Sequence, residues 1–559
     1  MNTARVIANP AHEGLFLGTV SRLKLLFGLE KKILALIFSY ALTIGLFSLV
    51  VPLTVQELVN TFAFAIQPIT IATLTGIMAC TLLFIAAFKV LQARAVETLQ
   101  QRVYTRIAVG FTQALPHVRE ERFLPRHANY LSEAEFLTRA ALAVLADLMN
   151  ILVAGAIGMT ILVLYHPYFL VFNLLLVGGF ATVVILLGQG GLKITLEMSR
   201  LHYDTLDWVQ NVAHNLPYFK ATNSRGLLLG KTDELVRQYV LIRQTRSDIL
   251  TGQQFKGAVI WQALGHSGLL ATAGMLLATG QITLGQFVAS EVIVGALLLN
   301  LETLARRMYA LFFVFSSLQE LSGVFGLPRD DRQGKVADLA RDQAHYGIRL
   351  TGKNLAFGFP GSAPLFRDFS LEVNPGEKVA VISRTSTVKT ALARVLAGLY
   401  TPTAGVVRYN DVDLRDASLD SINAVRSLVL DSHLTLFEGT LEENIALGRP
   451  SISYSDLQWA LWFAELEEDV DALPAGLHSP VTSQGRPFTI SQILRILVAR
   501  AVVIRPRILI FAGALHAMSP RTRATILRRL CSKDEGWSVI FVTNDPSIRT
   551  EVDRCIEIE

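Results

Sequence analysis

Charge is scarce in this chain: of 559 residues, 17% are Asp, Glu, Lys or Arg, against 51% hydrophobic. With a mean hydropathy of +0.42, that balance excludes an ordinary soluble protein and points to one that crosses a membrane several times. Cysteine is scarcer still. Cys80, Cys531 and Cys555 stand far apart with no metal-ligand spacing, so all three read as structural residues and no metal site is expected. A cleavable signal peptide is not expected either. The first residues, to roughly position 30, instead carry "SRLKLLFGLEKKI", a short basic amphipathic stretch that reads as an interfacial helix. The net charge of +5 does not call for a nucleic acid partner, because membrane proteins collect Lys and Arg on their cytoplasmic loops.

The apolar residues are unevenly spread. Up to about residue 320 they form long uncharged runs, and beyond it the chain reads as a mixed α/β domain. Spans of roughly 20 apolar residues are expected at about 33–57, 68–92, 138–164, 167–188, 257–280 and 285–315. The connections "NTFAFAIQP", "YHPY" and "TGQITLG" contain no Lys, Arg, Asp or Glu. The stretch between the second and third spans, and the one from Leu192 to Lys256, are dense in Arg and Lys. The positive-inside rule therefore puts those long loops and both termini in the cytoplasm. Their amphipathic sequences predict membrane helices that continue well beyond the bilayer.

Ionisable residues inside the apolar runs are few, and burying them is costly. Asp147 reads as an ordinary residue near a membrane boundary. Glu302 precedes Arg306 at the i,i+4 spacing of a helical ion pair. His266 reads as a hydrogen-bonded packing residue and, second to Glu291, as a pathway candidate. Glu291 has no obvious local partner and is the strongest candidate for a transport pathway.

Glycine is missing where the cytoplasmic half most needs it. In "VISRTSTVKTALARVLAGLY" an apolar strand runs into a helical pattern of Leu392, Val395, Leu396 and Leu399, with Lys389-Thr390 placed as in a phosphate-binding loop. Ser383, Ser386 and Val388 take three positions where glycine would let backbone N–H groups curl around phosphates, some at positive φ. A β-branched Val388 at positive φ would be an outlier, so the loop is expected to follow another path or to be open. Lys389 could still reach an anion and Thr390 a Mg²⁺ ion; the alternative is a residual helix N-terminus.

Around this loop the whole chain resembles an ABC exporter half-transporter, nearest in character to the bacteriocin and type I secretion branch. "GQITLGQFVAS", "PLFRDFSLEVNPGEKVAVIS", "LFEGTLEENIALGRP" and "LVARAVVIRPRILIF" carry the likeness, in the family's order. The resemblance implies a membrane all-α six-helix ABC exporter transmembrane domain followed by an α/β P-loop NTPase-like (ABC) cytoplasmic domain. Boundaries are then expected at 1–32 for the interfacial segment, 33–320 for the six spans, 321–347 for a linker and 348–559 for the nucleotide-binding domain. It also implies where catalysis should sit, and there the sequence departs from the family. Ala512 and Gly513 replace the metal-binding Asp and the catalytic Glu, Ser519 the D-loop Asp, Asn544 the switch His and Ser432 the Q-loop Gln. The signature is reduced to "FTISQ", Phe488, Thr489, Ile490, Ser491 and Gln492, without its glycines. Phe359, at the adenine-stacking position, survives with Lys389, Thr390 and Gln492.

Neither Ala512 nor Gly513 can hold a metal or orient water as phosphoryl transfer requires. ATP hydrolysis is not expected, and no cofactor is expected beyond weak binding of ATP and Mg²⁺. Because both the Walker side and the signature side are altered, a homodimer would contain no working site. Two functions follow. One is an exporter subunit with a pseudo-ATPase domain, acting as a homodimer or with another half-transporter in export of a peptide, protein or other substrate. The other is a non-transporting scaffold or regulator. By resemblance, the location is a bacterial inner membrane and a periplasmic adaptor protein is a candidate partner. Only a short segment precedes the first span, so an N-terminal peptidase domain is not expected.

Overall fold

The computed structural model describes residues 30–64, 68–118, 129–325 and 346–558, with Gly28, Leu327 and Leu339, apart from Pro360, Arg384, His433, Gln484, Ala514 and His516. The interfacial segment expected before residue 32 and most of the expected linker lie outside the described residues. The chain divides into two compact units, Met1–Pro116 with Phe123–Leu327, and His117–Arg122 with Pro328–Glu559.

The first unit is helical. α1 (Lys31–Phe47) and α2 (Val50–Phe64) are separated by a break just ahead of Pro52, which sits in the first turn of α2 where its missing N–H costs no helical bond. α3 (Pro68–Ala114) runs 47 residues without interruption, about 70 Å at 1.5 Å per residue. α4 (Leu131–Tyr165), α5 (Tyr168–Leu187), α6 (Gly191–His214), α7 (Leu216–Ala221) and α8 (Arg225–Ser247) follow. A π-helical stretch, Asp248–Phe255, joins α8 to α9 (Lys256–Ala278), and α10 (Leu284–Phe325) closes the unit.

Among the described residues, five segments are long and apolar enough to cross a membrane: Lys31–Thr61, Pro68–His117, Leu131–Tyr165, Tyr168–Leu187 and Leu284–Ser322. The fifth expected span coincides with α9, which is not one of them. Gln262, His266 and Ser267, with several glycines, dilute its apolar character. α4 and α10 lie antiparallel: Asp147 faces Arg307, and a Cβ on Gly155 or Gly158 would meet Leu297 or Ile293. Leu99, Leu137 and Leu318 close one apolar cluster of the unit, and Leu162, Leu269 and Leu298 another.

The second unit contains a four-stranded antiparallel sheet, order β2-β1-β4-β5, and a five-stranded parallel sheet, order β11-β3-β10-β9-β6. Strands β1 (Leu350–Phe357), β2 (Phe366–Val373), β4 (Ala404–Tyr409) and β5 (Val412–Asp413) make the first. Strands β3 (Lys378–Ser383), β6 (Arg426–Leu430), β9 (Ile508–Ala512), β10 (Ser538–Thr543) and β11 (Arg554–Ile558) make the second; β7 (Gly439–Thr440) pairs with β8 (Pro480–Val481) apart from both. Every residue of β9 and β10 is buried, as a parallel sheet covered on both faces requires. Successive side chains alternate between two cores. Ile508, Ile510, Ile540 and Val542 join α11 (Ser386–Leu396) on one face. Beyond α12 (Leu419–Val425), α13 (Leu441–Ala446), α14 (Tyr454–Phe463) and α15 (Glu467–Asp471), Leu509, Phe511, Val539 and Phe541 join helices α16 (Ile490–Val502) and α17 (Pro520–Leu530) on the other. This is an intact fold with a full complement of buried apolar residues.

Candidate functional site

In an open parallel sheet, ligands bind outside the carboxyl ends of the strands. The sequence-predicted residues gather at that edge: Ser383 ends β3, Ala512 ends β9, Ser432 follows β6 and Asn544 follows β10. Their geometry is not that of a phosphate cradle. Helix α11 begins at Ser386, so Val388 is helical rather than in a left-handed turn, and it is buried in the sheet core. The Lys389 N–H donates to the Thr385 carbonyl at 3.1 Å, and the Thr385 N–H to Ser383 Oγ at 3.3 Å. Two backbone donors of this stretch are thus spent inside the chain. Ser386 and Val388 lie within α11, in the αR region that side chains favour over positive φ, while Ser383 ends β3.

Lys389 has a partner of its own. Its ammonium lies 2.5 Å from Asp431 Oδ2, with 4% of the lysine side chain and 28% of the aspartate side chain exposed. Asp431 is held there by the strand it extends: its N–H donates to the Ala512 carbonyl at 3.0 Å, continuing the β6–β9 ladder. Gly513 makes the room. It has φ of +73°, its N–H donates to the Val542 carbonyl, and a Cβ placed on it would fall 1.9 Å from Asp431 Oδ2 and 2.5 Å from Lys389 Nζ. A side chain at position 513 and the Lys389–Asp431 pair exclude each other. Ala512, at the metal-binding position, is fully buried in the apolar core. Ser432 and Asn544 are exposed, and Thr390 is half-buried.

The remaining positions serve local structure. Ser519 caps α17, accepting from the Thr522 N–H. Thr489 and Gln492 form a reciprocal capping box on α16, and Gln492 Nε2 donates to Asp469, itself paired with Arg495 at 2.7 Å. A helix end so capped has fewer N–H groups for a phosphate. Within the signature remnant, Ile490 is 62% exposed, Ser491 half-buried and Phe488 packed against the core. The Phe359 ring stands edge-on to Phe357 and Tyr400, at 5.5 and 6.1 Å. Beside Asn544, burial would raise the Asp545 carboxyl, but bonds from Ser547 and the Arg523 guanidinium outweigh it and hold the carboxyl below its ordinary range. Among the described residues no group of three His, Cys, Asp or Glu could hold a metal ion. These residues do not fit Mg²⁺–ATP.

In the first unit the two pathway candidates turn out to be partners: His266 Nδ1 lies 2.9 Å from Glu291 Oε1, so Glu291 is paired across helices α9 and α10. Glu302 pairs with Arg306 at 2.5 Å. Asp147, expected to be ordinary, is bound by Arg307 of α10 at 2.5 Å. Sequence reasoning missed Asp431 and Lys89. An acidic residue at the carboxyl end of a buried strand was the signal for the first, and a lysine inside an expected span for the second.

Residues 366–512 match the sequence model of the ABC transporter family. A fatty acid ABC transporter ATP-binding/permease protein of Mycobacterium bovis is 29% identical over 285 residues, covering 50% of this chain and 44% of that protein. A multidrug efflux ATP-binding/permease protein of Mycobacterium bovis is 30% identical over 295 residues, 52% of this chain and 24% of its own. The leukotoxin translocation ATP-binding protein LktB of Mannheimia glucosida is 27% identical over 285 residues, 51% and 39%. The chain thus spans less than half the length of these relatives. Among solved structures, a bacterial Atm1-family ABC exporter with ATP bound matches with a TM-score of 0.82 and 19% identity over 94% of both chains. The fold is that of an ABC exporter: a helical membrane-type region and an α/β ABC domain.

Proposed function

We propose that this chain, an ABC exporter fold with an ABC transporter-type domain, is an exporter-type membrane subunit whose nucleotide-binding domain has lost hydrolysis. The observation that carries this reading is the Lys389–Asp431 pair over Gly513. The lysine of the phosphate loop is neutralised from within the chain. No carboxylate stands at 512 or 513 to hold a metal or orient water. The subunit works as a dimer, with itself or with an active half-transporter, in a bacterial inner membrane with both termini in the cytoplasm. The charge distribution of its loops supports that orientation. Relatives named for toxin translocation support export of a peptide or protein, and a periplasmic adaptor is the partner such export would call for. The intact double core of the second unit favours one further reading, in which the domain is a docking scaffold and the chain moves no substrate.

Calorimetric titration of ATP and Mg²⁺ into the purified, detergent-solubilised chain, with phosphate release followed on the same sample, tests the proposal. The expected result is no turnover and no binding below millimolar ATP. Turnover would overturn it.

A further inference from the structure

The first unit holds a half-open cavity of about 480 Å³ between α1, α2, α3, α4 and α10, within the range of small-molecule sites, roughly 300–1,000 Å³. Its wall is graded along the antiparallel pair α4 and α10. At one end stand Asp147 and Asn150 of α4 with Asn300 and Thr303 of α10; at the other stand Gly158 and Ile293. From Asp147 to Gly158 the helix rises about 16 Å. Ile44, Val51 and Leu297 extend the apolar wall.

Most of the polar groups are already committed. Asp147 binds Arg307 at 2.5 Å, Asn150 exchanges two hydrogen bonds with Gln92 at 2.9 and 3.0 Å, and the Thr303 hydroxyl donates to the Leu299 carbonyl. Lys89 of α3 is not: among the described residues its ammonium has no carboxylate within ion-pair distance, and the Asn300 carboxamide has no hydrogen-bond partner. Lys89 is exposed and stands one turn from Gln92 on the side away from Asp147, level with Asn300, where the polar wall gives way to the apolar one. A lysine in an apolar helix is costly without a counter-charge. With Asp147 neutralised by Arg307, the cavity carries one net positive charge beside Asn300, at the foot of its apolar body.

We infer that this cavity is a binding site for an amphiphile with a single anionic head, such as a long-chain carboxylate. Its head meets Lys89 and Asn300, and its chain lies against Ile44, Ile293 and Leu297. The inference rests on reading the first unit as an exporter-type membrane region, and it does not depend on whether the second unit binds nucleotide.

The test is equilibrium binding of radiolabelled palmitate to the full chain in phosphatidylcholine nanodiscs, without ATP, beside hexadecanol and hexadecyltrimethylammonium. Saturable binding of palmitate is expected, with the neutral and cationic analogues at least tenfold weaker. Lys89→Gln should weaken palmitate at least tenfold, and Lys89→Arg should retain it. Thermal unfolding and the unchanged binding of hexadecanol control for folding, and Asn300→Leu, which leaves the charge in place, gives a second variant expected to weaken the head contact. Displacement of palmitate by phosphatidylglycerol would identify a lipid headgroup as the competing source of the same chemistry, and absence of displacement a free carboxylate; either supports the site. Equal binding of all three amphiphiles, or no effect of Lys89→Gln, would overturn it, while ATP titration of the same sample reports separately on the second unit.

Discussion

Replacing Asp431 by Asn keeps the size and shape of the side chain and removes only its charge. The Lys389 ammonium, with 4% of its side chain exposed, is then left without a counter-ion in the position where an ABC domain would hold phosphate. Breaking a fully buried pair costs about 3–5 kcal/mol and exposed pairs are worth about 0–1 kcal/mol. Because Asp431 is 28% exposed, a loss of ~2 kcal/mol is expected, the solvent screening part of the charge. The same substitution should create affinity: a phosphate that neutralises Lys389 recovers what was lost, and at a hundred times its Kd a ligand stabilises by about 2.7 kcal/mol. The assay is fluorescence-detected unfolding of the full chain in detergent, with and without millimolar ATP and Mg²⁺. Wild type should be indifferent to nucleotide; Asp431→Asn should unfold earlier and be restored in part by ATP. A variant as stable as wild type, or a wild type that responds to ATP as strongly as the variant, would refute the reasoning.

Gly513→Ala places a methyl 1.9 Å from Asp431 Oδ2 on a backbone with φ of +73°; it should destabilise by roughly 1–3 kcal/mol, measured by denaturant unfolding, and Asp431→Ala should relieve part of that loss. Thr489→Ala removes the cap of α16 and should cost ~1 kcal/mol, read by the same unfolding assay, with no change in phosphate release. Arg523→Ala should bring the depressed Asp545 carboxyl back toward its ordinary range. The stability difference from wild type is then expected in full above pH ~4, the unfolded carboxyl value, and lost as pH falls through the folded one. A difference that stays constant into acid would show that Arg523 acts by packing alone.

Much of this architecture was legible because apolar periodicity is a local signal. The runs at 68–92 and 138–164 fall inside the long helices α3 and α4, and Leu392, Val395 and Leu396 are buried on α11. α9 was harder: its polar residues make it less apolar than a span needs, yet His266 meets Glu291 across 25 positions. The course of the phosphate loop was only half legible. Reading Val388 against a glycine pattern exposes a conflict, but that the conflict resolves by starting the helix at Ser386 depends on the core that receives the valine side chain. Asp431 escaped notice for a related reason. It is 42 positions from Lys389, and its meaning depends on the space left at Gly513, a relation among two strand ends and a helix that no single segment displays.

The tie between Lys389 and Asp431 also bears on what the domain can sense. A diffusing ligand fills its site in proportion to its concentration, so a nucleotide-driven domain registers the energetic state of the cell. A carboxylate on the same chain is present at an effective concentration set by geometry alone. It neither runs out nor accumulates. A ligand can shift an equilibrium only by its differential affinity for two states; on the proposed reading, with its anion built in, this site offers no such difference to a varying supply of ATP. If the subunit changes shape during its work, the free energy for that change enters from elsewhere: from an active partner, or from whatever occupies the membrane unit.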